Sequence, residues 1–211
     1  MGSLSVQSFL SRVFVEKAYY PLEIVESSFE VKGSTFISYV IPINMFAKYV
    51  EQMRQEHPKA VHFVTASRFF NAQGQITESF SDDGEPKGTS GMPTLKVLRG
   101  YALVECGILT VRYFGGTLLG TGGLVRAYTQ GAKEVVLQAR DSNCLVPYIP
   151  KQSAEIRVAF SQFSYVEHLA QKLEIIVCDK EFLNEGVRLC VQGKAESLEI
   201  FLAKVQALQY Q

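Results

Sequence analysis

The chain has 211 residues, of which 47% are hydrophobic, and it carries 21 basic against 21 acidic side chains. That length lies between one large domain and two small ones, and the hydrophobic share is ordinary for a globular protein able to bury its own core. Up to Pro150 there are 14 basic and 13 acidic residues, and beyond it 7 and 8, so neither half has the basic excess of a protein that grips phosphate backbone over a wide surface.

No apolar run reaches the roughly 18 to 20 residues needed to cross a bilayer. The start, MGSLSVQSFLSRVFVEKAYY, carries polar or charged residues too frequently for the core of a signal peptide, so a cytoplasmic protein with no membrane partner is expected. The four cysteines, Cys106, Cys144, Cys178 and Cys190, form no CxxC pair, and the histidines are His57, His62 and His168; neither a zinc site nor a disulfide framework is expected. Cys106, Cys178 and Cys190 sit in apolar runs and read as small core hydrophobes.

In chain order, PLEIVESSFEVKGSTFISYVIPI reads as two strands joined around Gly33. NMFAKYVEQMRQEHP reads as a helix with Asn44 as N-cap, Pro58 past its end, and Met45, Phe46, Tyr49, Val50 and Met53 as its apolar stripe. AVHFVTASRFF is a strand in which Val61, Phe63 and Thr65 alternate with His62 and Val64. TSGMPTLKVLRG begins a short helix capped by Thr89 or Ser90, and YALVECGILTVRYF is a long strand, nearly continuous in apolar residues from Ile108 to Val111 and therefore central in its sheet. GGLVRAYTQGAKEVVLQARD places Leu124, Val125, Tyr128, Ala132, Val135, Val136 and Ala139 at helical spacing. Pro147 and Pro150, in NCLVPYIPKQS, interrupt regular structure and mark a domain boundary. Beyond them comes strand AEIRVAF, helix SYVEHLAQKL, strand EIIVCDKEF, turn LNEG, strand VRLCVQG and helix ESLEIFLAKVQAL, the βαββα order of a ferredoxin-like domain lacking its last strand.

Two stretches hold candidate chemistry. RYFGGTLLGTGGLVRAY runs from a buried strand through Gly115, Gly116, Gly120, Gly122 and Gly123 into a helix, and free amides at such an entry favour an anion, with Arg112 and Arg126 as nearby charges. Known nucleotide loops do not match: Thr121 stands where a P-loop needs lysine, and GTGGLV lacks the third glycine of the dinucleotide fingerprint. The same glycines equally serve tight turns and close packing of helix on sheet. In FSDDGEPKGTSGMP, the carboxylates of Asp82, Asp83 and Glu85 have the chemistry to hold a hard cation or to act as a base, but D-D-G-E is too short for an EF-hand loop, and a solvated turn has the same composition. His62, in a strand near both loops, is a structural histidine or a member of the site.

The motifs S-D-D-G-E-P-K-G-T-S-G-M-P, V-R-Y-F-G-G and L-G-T-G-G-L-V-R-A-Y, with EHPKAVHF leading to His62, resemble the YigZ/Impact family, and closely its two-domain bacterial members. The likeness is strong over about residues 22–140, with Ser90 and Met92 as minor departures. It implies an α+β fold of two domains, 1–146 and 151–211. The first would be an α/β sandwich like the second domain of small-subunit ribosomal protein S-five, and the second ferredoxin-like. Eukaryotic Impact relatives regulate translation by competing for the activator of a kinase that phosphorylates an initiation factor, through a chain with a different N-terminal domain, so that partner does not carry over. The resemblance implies a shared face made of Asp82, Asp83, Glu85, Arg112, Tyr113, Gly115, Gly116, Gly120, Gly122, Gly123, Arg126 and His62, in which the acids pair with Arg112 or Arg126 or leave an arginine free for phosphate. The expected function is a non-catalytic regulator of translation, without cofactor or metal, that binds RNA, the ribosome or a protein partner in translation control. An enzyme acting on a nucleotide or phosphorylated small molecule, or a pure protein-interaction module, is the alternative.

Overall fold

The computed structural model describes residues 18–71 and 74–208. They separate into two compact units, one ending at Tyr148 and one beginning at Ile149.

The first unit is built on a five-stranded sheet of β2 (Val25–Val31), β3 (Ser34–Pro42), β4 (His62–Phe70), β5 (Ile76–Ser81) and β6 (Cys106–Tyr113), ordered β2-β3-β6-β4-β5 with every pair antiparallel. Helix α1 (Ile43–Glu56) covers one face through Phe46, Tyr49, Val50 and Met53, against Tyr39, Ile41, Phe63, Leu109 and Val111. Helices α2 (Gly91–Gly100) and α3 (Gly120–Asp141) cover the other, against Val40, Ala66 and Ile108. With helices on both faces, β6 is buried from Cys106 to Arg112, which is why its apolar run does not alternate. The same double cover explains why Phe63 and Val64 are both buried in β4, against the expected alternation. Val61 lies outside that strand and is half exposed.

Several boundaries differ from the sequence expectation. The central strand starts at Cys106 because Tyr101 is the C-cap of α2, and Ala102 and Glu105 take positive φ in the turn between. Asn44 is not the cap of α1. Strand β3 runs through Pro42 straight into the helix, and the Ile43 amide donates to the Glu105 carbonyl at 2.8 Å. Met45 of α1 and Val125 of α3, both expected in apolar stripes, lie on the outer sides of their helices. Phe46 lies so close over Gly107 that a Cβ there would stand 2.3 Å from its ring. Strand β5, rich in polar residues, was not expected, nor was the two-stranded sheet of β1 (Tyr19–Pro21) and β7 (Leu145–Pro147). Pro147 thus ends a short strand rather than only breaking structure, a position at a sheet edge where a missing N–H is tolerated.

The second unit follows the expected order: β8 (Lys151–Val158), α4 (Phe160–Lys172), β9 (Ile176–Leu183), β10 (Gly186–Lys194) and α5 (Ala195–Ala207). Its sheet is ordered β8-β10-β9, antiparallel throughout. Ile156, Leu189 and Val191 on one face meet Val166 of α4 and Leu198 and Phe201 of α5. Cys190 is half-buried and Cys178 is exposed, contrary to the expectation of core thiols: Cys190 alternates with the buried Leu189 and Val191 of β10 and so lies on the sheet face away from the core, and β9 is exposed along most of its length. No helix among the described residues is long and apolar enough to cross a membrane.

Candidate functional site

Three residues in register across β3, β6 and β4 form the floor of the motif region: Phe36, Arg112 and His62. Their side chains lie under the N-terminal half of α3, where Phe36 packs edge-on against Tyr128 at 5.3 Å. Arg112 is 5% exposed despite its charge, which demands a counter-ion. The acidic loop supplies it: Glu85, itself 7% exposed, accepts from Arg112 Nη1 at 2.5 Å and from the Tyr128 hydroxyl at 2.7 Å on the same Oε1. Burial and then the Glu85 charge push the Tyr128 phenol far above its ordinary range, so it stays a donor. The guanidinium also stands over the rings of Phe36 and Phe114, at 5.4 and 5.8 Å. Among the described residues its Nε has no hydrogen-bond partner.

The neighbouring acids are also committed. Asp83, at φ +45, accepts from Arg54 Nη2 at 2.7 Å and from the Phe63 amide at 2.6 Å. Its carbonyl accepts from His62 Nδ1 at 2.8 Å, which places a proton on Nδ1 and leaves Nε2 3.8 Å from Glu85. Asp82 caps α2: Oδ1 accepts from the Ser90 and Gly91 amides at 3.2 and 2.8 Å and from Ser90 Oγ at 2.7 Å, and Oδ2 from the Gly88 amide at 2.8 Å. Ser90 is therefore the N-cap by position, but the capping oxygen is that of Asp82, eight residues earlier. Burial raises the Asp82 pKa, and the bonds from Gly88, Ser90 and Gly91 outweigh it, holding the carboxyl below its ordinary value. The three acids thus face three separate sets of donors. Among the described residues there is no cluster of three or more His, Cys, Asp or Glu arranged to hold a metal.

The glycine loop divides into a packed part and an open part. Gly115 lies against Gly33 so closely that a Cβ would fall 1.8 Å from the Gly33 carbonyl carbon, and its amide donates to Ser34 Oγ at 3.2 Å. Gly116 and Gly120 take φ of +82 and +71, which glycine adopts without strain. Gly122 and Gly123 lie in the first turn of α3, which has neither a side-chain cap nor an acidic residue there. Around this entry Phe114, Leu118 and Arg126 are exposed, Leu118 to 83%. Arg126 makes no ion pair among the described residues. Tyr113 turns to the other face of the sheet, where its hydroxyl meets His57 Nδ1 at 2.8 Å.

Of the residues expected to share one face, Asp83, Glu85, Arg112 and His62 meet in one cluster beneath α3, with Asp82 beside them at the start of α2. Gly116, Gly120, Gly122, Gly123 and Arg126 form an open rim, and Tyr113 belongs to neither. The sequence reading missed Tyr128 and Arg54 as partners in the cluster, Ser34, whose Oγ lies 3.5 Å from Arg112 Nη2, and His57 as the partner of Tyr113. Tyr128 falls on the apolar stripe of α3, and only its hydroxyl, in a stripe otherwise without donors, hinted at a buried acceptor. Phe114 and Leu118 carry no periodic signal.

A helix-covered antiparallel sandwich, tied by a buried Arg–Glu–Tyr cluster and followed by a βαββα unit, defines a two-domain α+β protein. Residues 32–136 match the Impact N-terminal domain. The chain is 32% identical over 179 residues to an IMPACT family member of Haemophilus influenzae, covering 83% of this chain and 84% of that protein. It is 38% identical over 171 residues to the IMPACT family member YigZ of Escherichia coli, covering 81% and 79% of the two chains. A crystal structure of a hypothetical protein superposes with a TM-score of 0.79 at 30% identity, over 92% of this chain and 94% of that one. The chain belongs to the IMPACT family.

Proposed function

We propose that this chain is a non-catalytic regulator of translation that docks on the ribosome, at its RNA, through the rim of the glycine loop. The reading rests on family membership together with the translation role that the resemblance implies. One observation carries the choice of surface: the acids and Arg112 are spent on internal bonds, while the start of α3 and Arg126, which among the described residues have no side-chain cap and no ion pair, present positive potential outward. A site of this size fits a local phosphate contact, in keeping with a net charge of zero. The acids that a phosphoryl-transfer enzyme would use for magnesium or as base already accept bonds from Arg54, Arg112, Tyr128 and backbone amides, which favours the binding reading.

A protein partner in translation control is the second reading, favoured by the exposed Leu118 and Phe114. Sedimentation with ribosomes across a salt series, beside Arg126→Ala and Leu118→Ser, tests both. Co-sedimentation that fades with salt and is lost in Arg126→Ala supports the RNA contact. Salt-insensitive co-sedimentation lost only in Leu118→Ser moves the contact to protein. No co-sedimentation at the lowest salt overturns the proposal.

A further inference from the structure

The face of the second unit's sheet opposite α4 and α5 carries a feature with no place in the reading above. In the β9–β10 pairing Cys190 is opposite Asp179, but the next residue, Val191, is opposite Val177. Cys178 is therefore the extra residue of a bulge, where two residues of one strand oppose one of the other. Its thiol reaches toward Gln192 Oε1, at 3.9 Å, on the same side of β10 as Cys190. The charge of Cys178 is felt at the Cys190 thiol, as that of a near neighbour. Cys178 adjoins Asp179, the residue directly opposite Cys190; opposed residues of antiparallel strands have Cα atoms about 4.5–5.5 Å apart and a disulfide spans roughly 4.4–6.8 Å, so this diagonal neighbour is the residue of β9 placed to bridge to Cys190.

We propose that Cys178 and Cys190 form a reversible dithiol–disulfide site on this sheet face, oxidised by low-molecular-weight disulfides of the glutathione class. Cys178 is exposed and is the thiol an oxidant meets first, whereas Cys190 is half-buried. Burial, and then the neighbouring Cys178, Asp179 and Glu155, push the Cys190 thiol up, so it waits protonated. The Cys178 thiolate attacks one sulfur of the small disulfide, forming a mixed disulfide and expelling one thiolate, which takes up a proton. The Cys190 thiol then gives its proton to solvent, and its thiolate attacks the Cys178 sulfur, closing the protein disulfide and releasing the second small thiolate, which is protonated in turn. Two electrons pass from the protein dithiol to the small disulfide, which becomes two thiols. Cys106 and Cys144 are buried and serve as internal controls.

The test is oxidation of the full chain by oxidised glutathione, followed by alkylation of remaining thiols and peptide mapping without reductant. The expected result is joint loss of the Cys178 and Cys190 thiols in one intramolecular cross-link, reversed by reductant, with Cys106 and Cys144 alkylated only after unfolding. In Cys190→Ser the cross-link is lost and glutathione stays on Cys178; in Cys178→Ser the cross-link is also lost. Glutathione held stably on Cys178 in the parent chain, a cross-link between two chains through Cys178, or both thiols unchanged would each overturn the proposal. The map of the parent chain decides the question even where a serine variant folds poorly.

Discussion

Replacing Glu85 by alanine removes the acceptor at the centre of the motif cluster. The Glu85 and Arg112 side chains are 3% and 6% exposed, so water cannot replace the lost partner and salt cannot screen the charge left behind. Truncating one member of such a pair costs about 3–5 kcal/mol, because the other stays buried and uncompensated. Arg112→Ala leaves the Glu85 carboxylate with the Tyr128 hydroxyl as its donor and His62 Nε2 3.8 Å away, and falls in the same range. Once either residue is gone the penalty for the other largely disappears, so Glu85→Ala/Arg112→Ala should be less destabilised than the sum of the singles by about 2 kcal/mol or more, toward the upper part of the range for contacting residues. Urea unfolding measures this, followed by far-ultraviolet circular dichroism and by tyrosine fluorescence, since the sequence holds 10 Tyr and no Trp. Additive singles, or a loss below about 1 kcal/mol in Glu85→Ala, would refute a structural role for the pair.

Tyr128→Phe keeps the ring against Phe36 and removes only the bond to Glu85; a charged acceptor makes that bond worth about 1.5–3 kcal/mol, read from the same unfolding curves. Asp82→Ala uncaps α2 at a cost of about 0.5–2 kcal/mol. Because the folded pKa of Asp82 lies below its unfolded value near 4, its contribution is complete above that value and is lost as pH falls through the folded pKa. The variant should therefore show a shallower loss of stability on that acid limb, measured as urea midpoint against pH. Gly115→Ala drives a Cβ into Gly33 and should unfold the first unit or expose Tyr128 to quenchers, whereas Gly122→Ala meets nothing closer than Arg126 Nη1 at 3.8 Å and should be neutral or stabilising by up to about 1 kcal/mol. Equal effects at the two glycines would remove the distinction between the packed and open parts of the loop.

The periodic elements were determined by the sequence alone. Leu124, Tyr128, Ala132, Val135, Val136 and Ala139 mark the buried side of α3, and the unbroken apolar run Ile108–Val111 marks a strand with helices on both faces. The βαββα order of the second unit was legible for the same reason, since short strands and helices each bury a stripe that recurs at their own period. The motif residues were legible as a set, but their roles were not. Asp82, Asp83 and Glu85 are nearly consecutive, and which one caps a helix, meets Arg54 or balances Arg112 depends on where β4, β6 and α3 bring their donors. Glu85 meets partners 27 and 43 residues further along the chain, a separation no local pattern encodes. Strand β5 and the bulge at Cys178 were likewise decided by pairing with a neighbour, because an edge strand without an apolar face and one extra residue in a ladder leave no period to read. Side-chain periodicity records burial, and burial is shared along an element; ion pairs and caps join single atoms from distant segments, so only the assembled tertiary structure selects them.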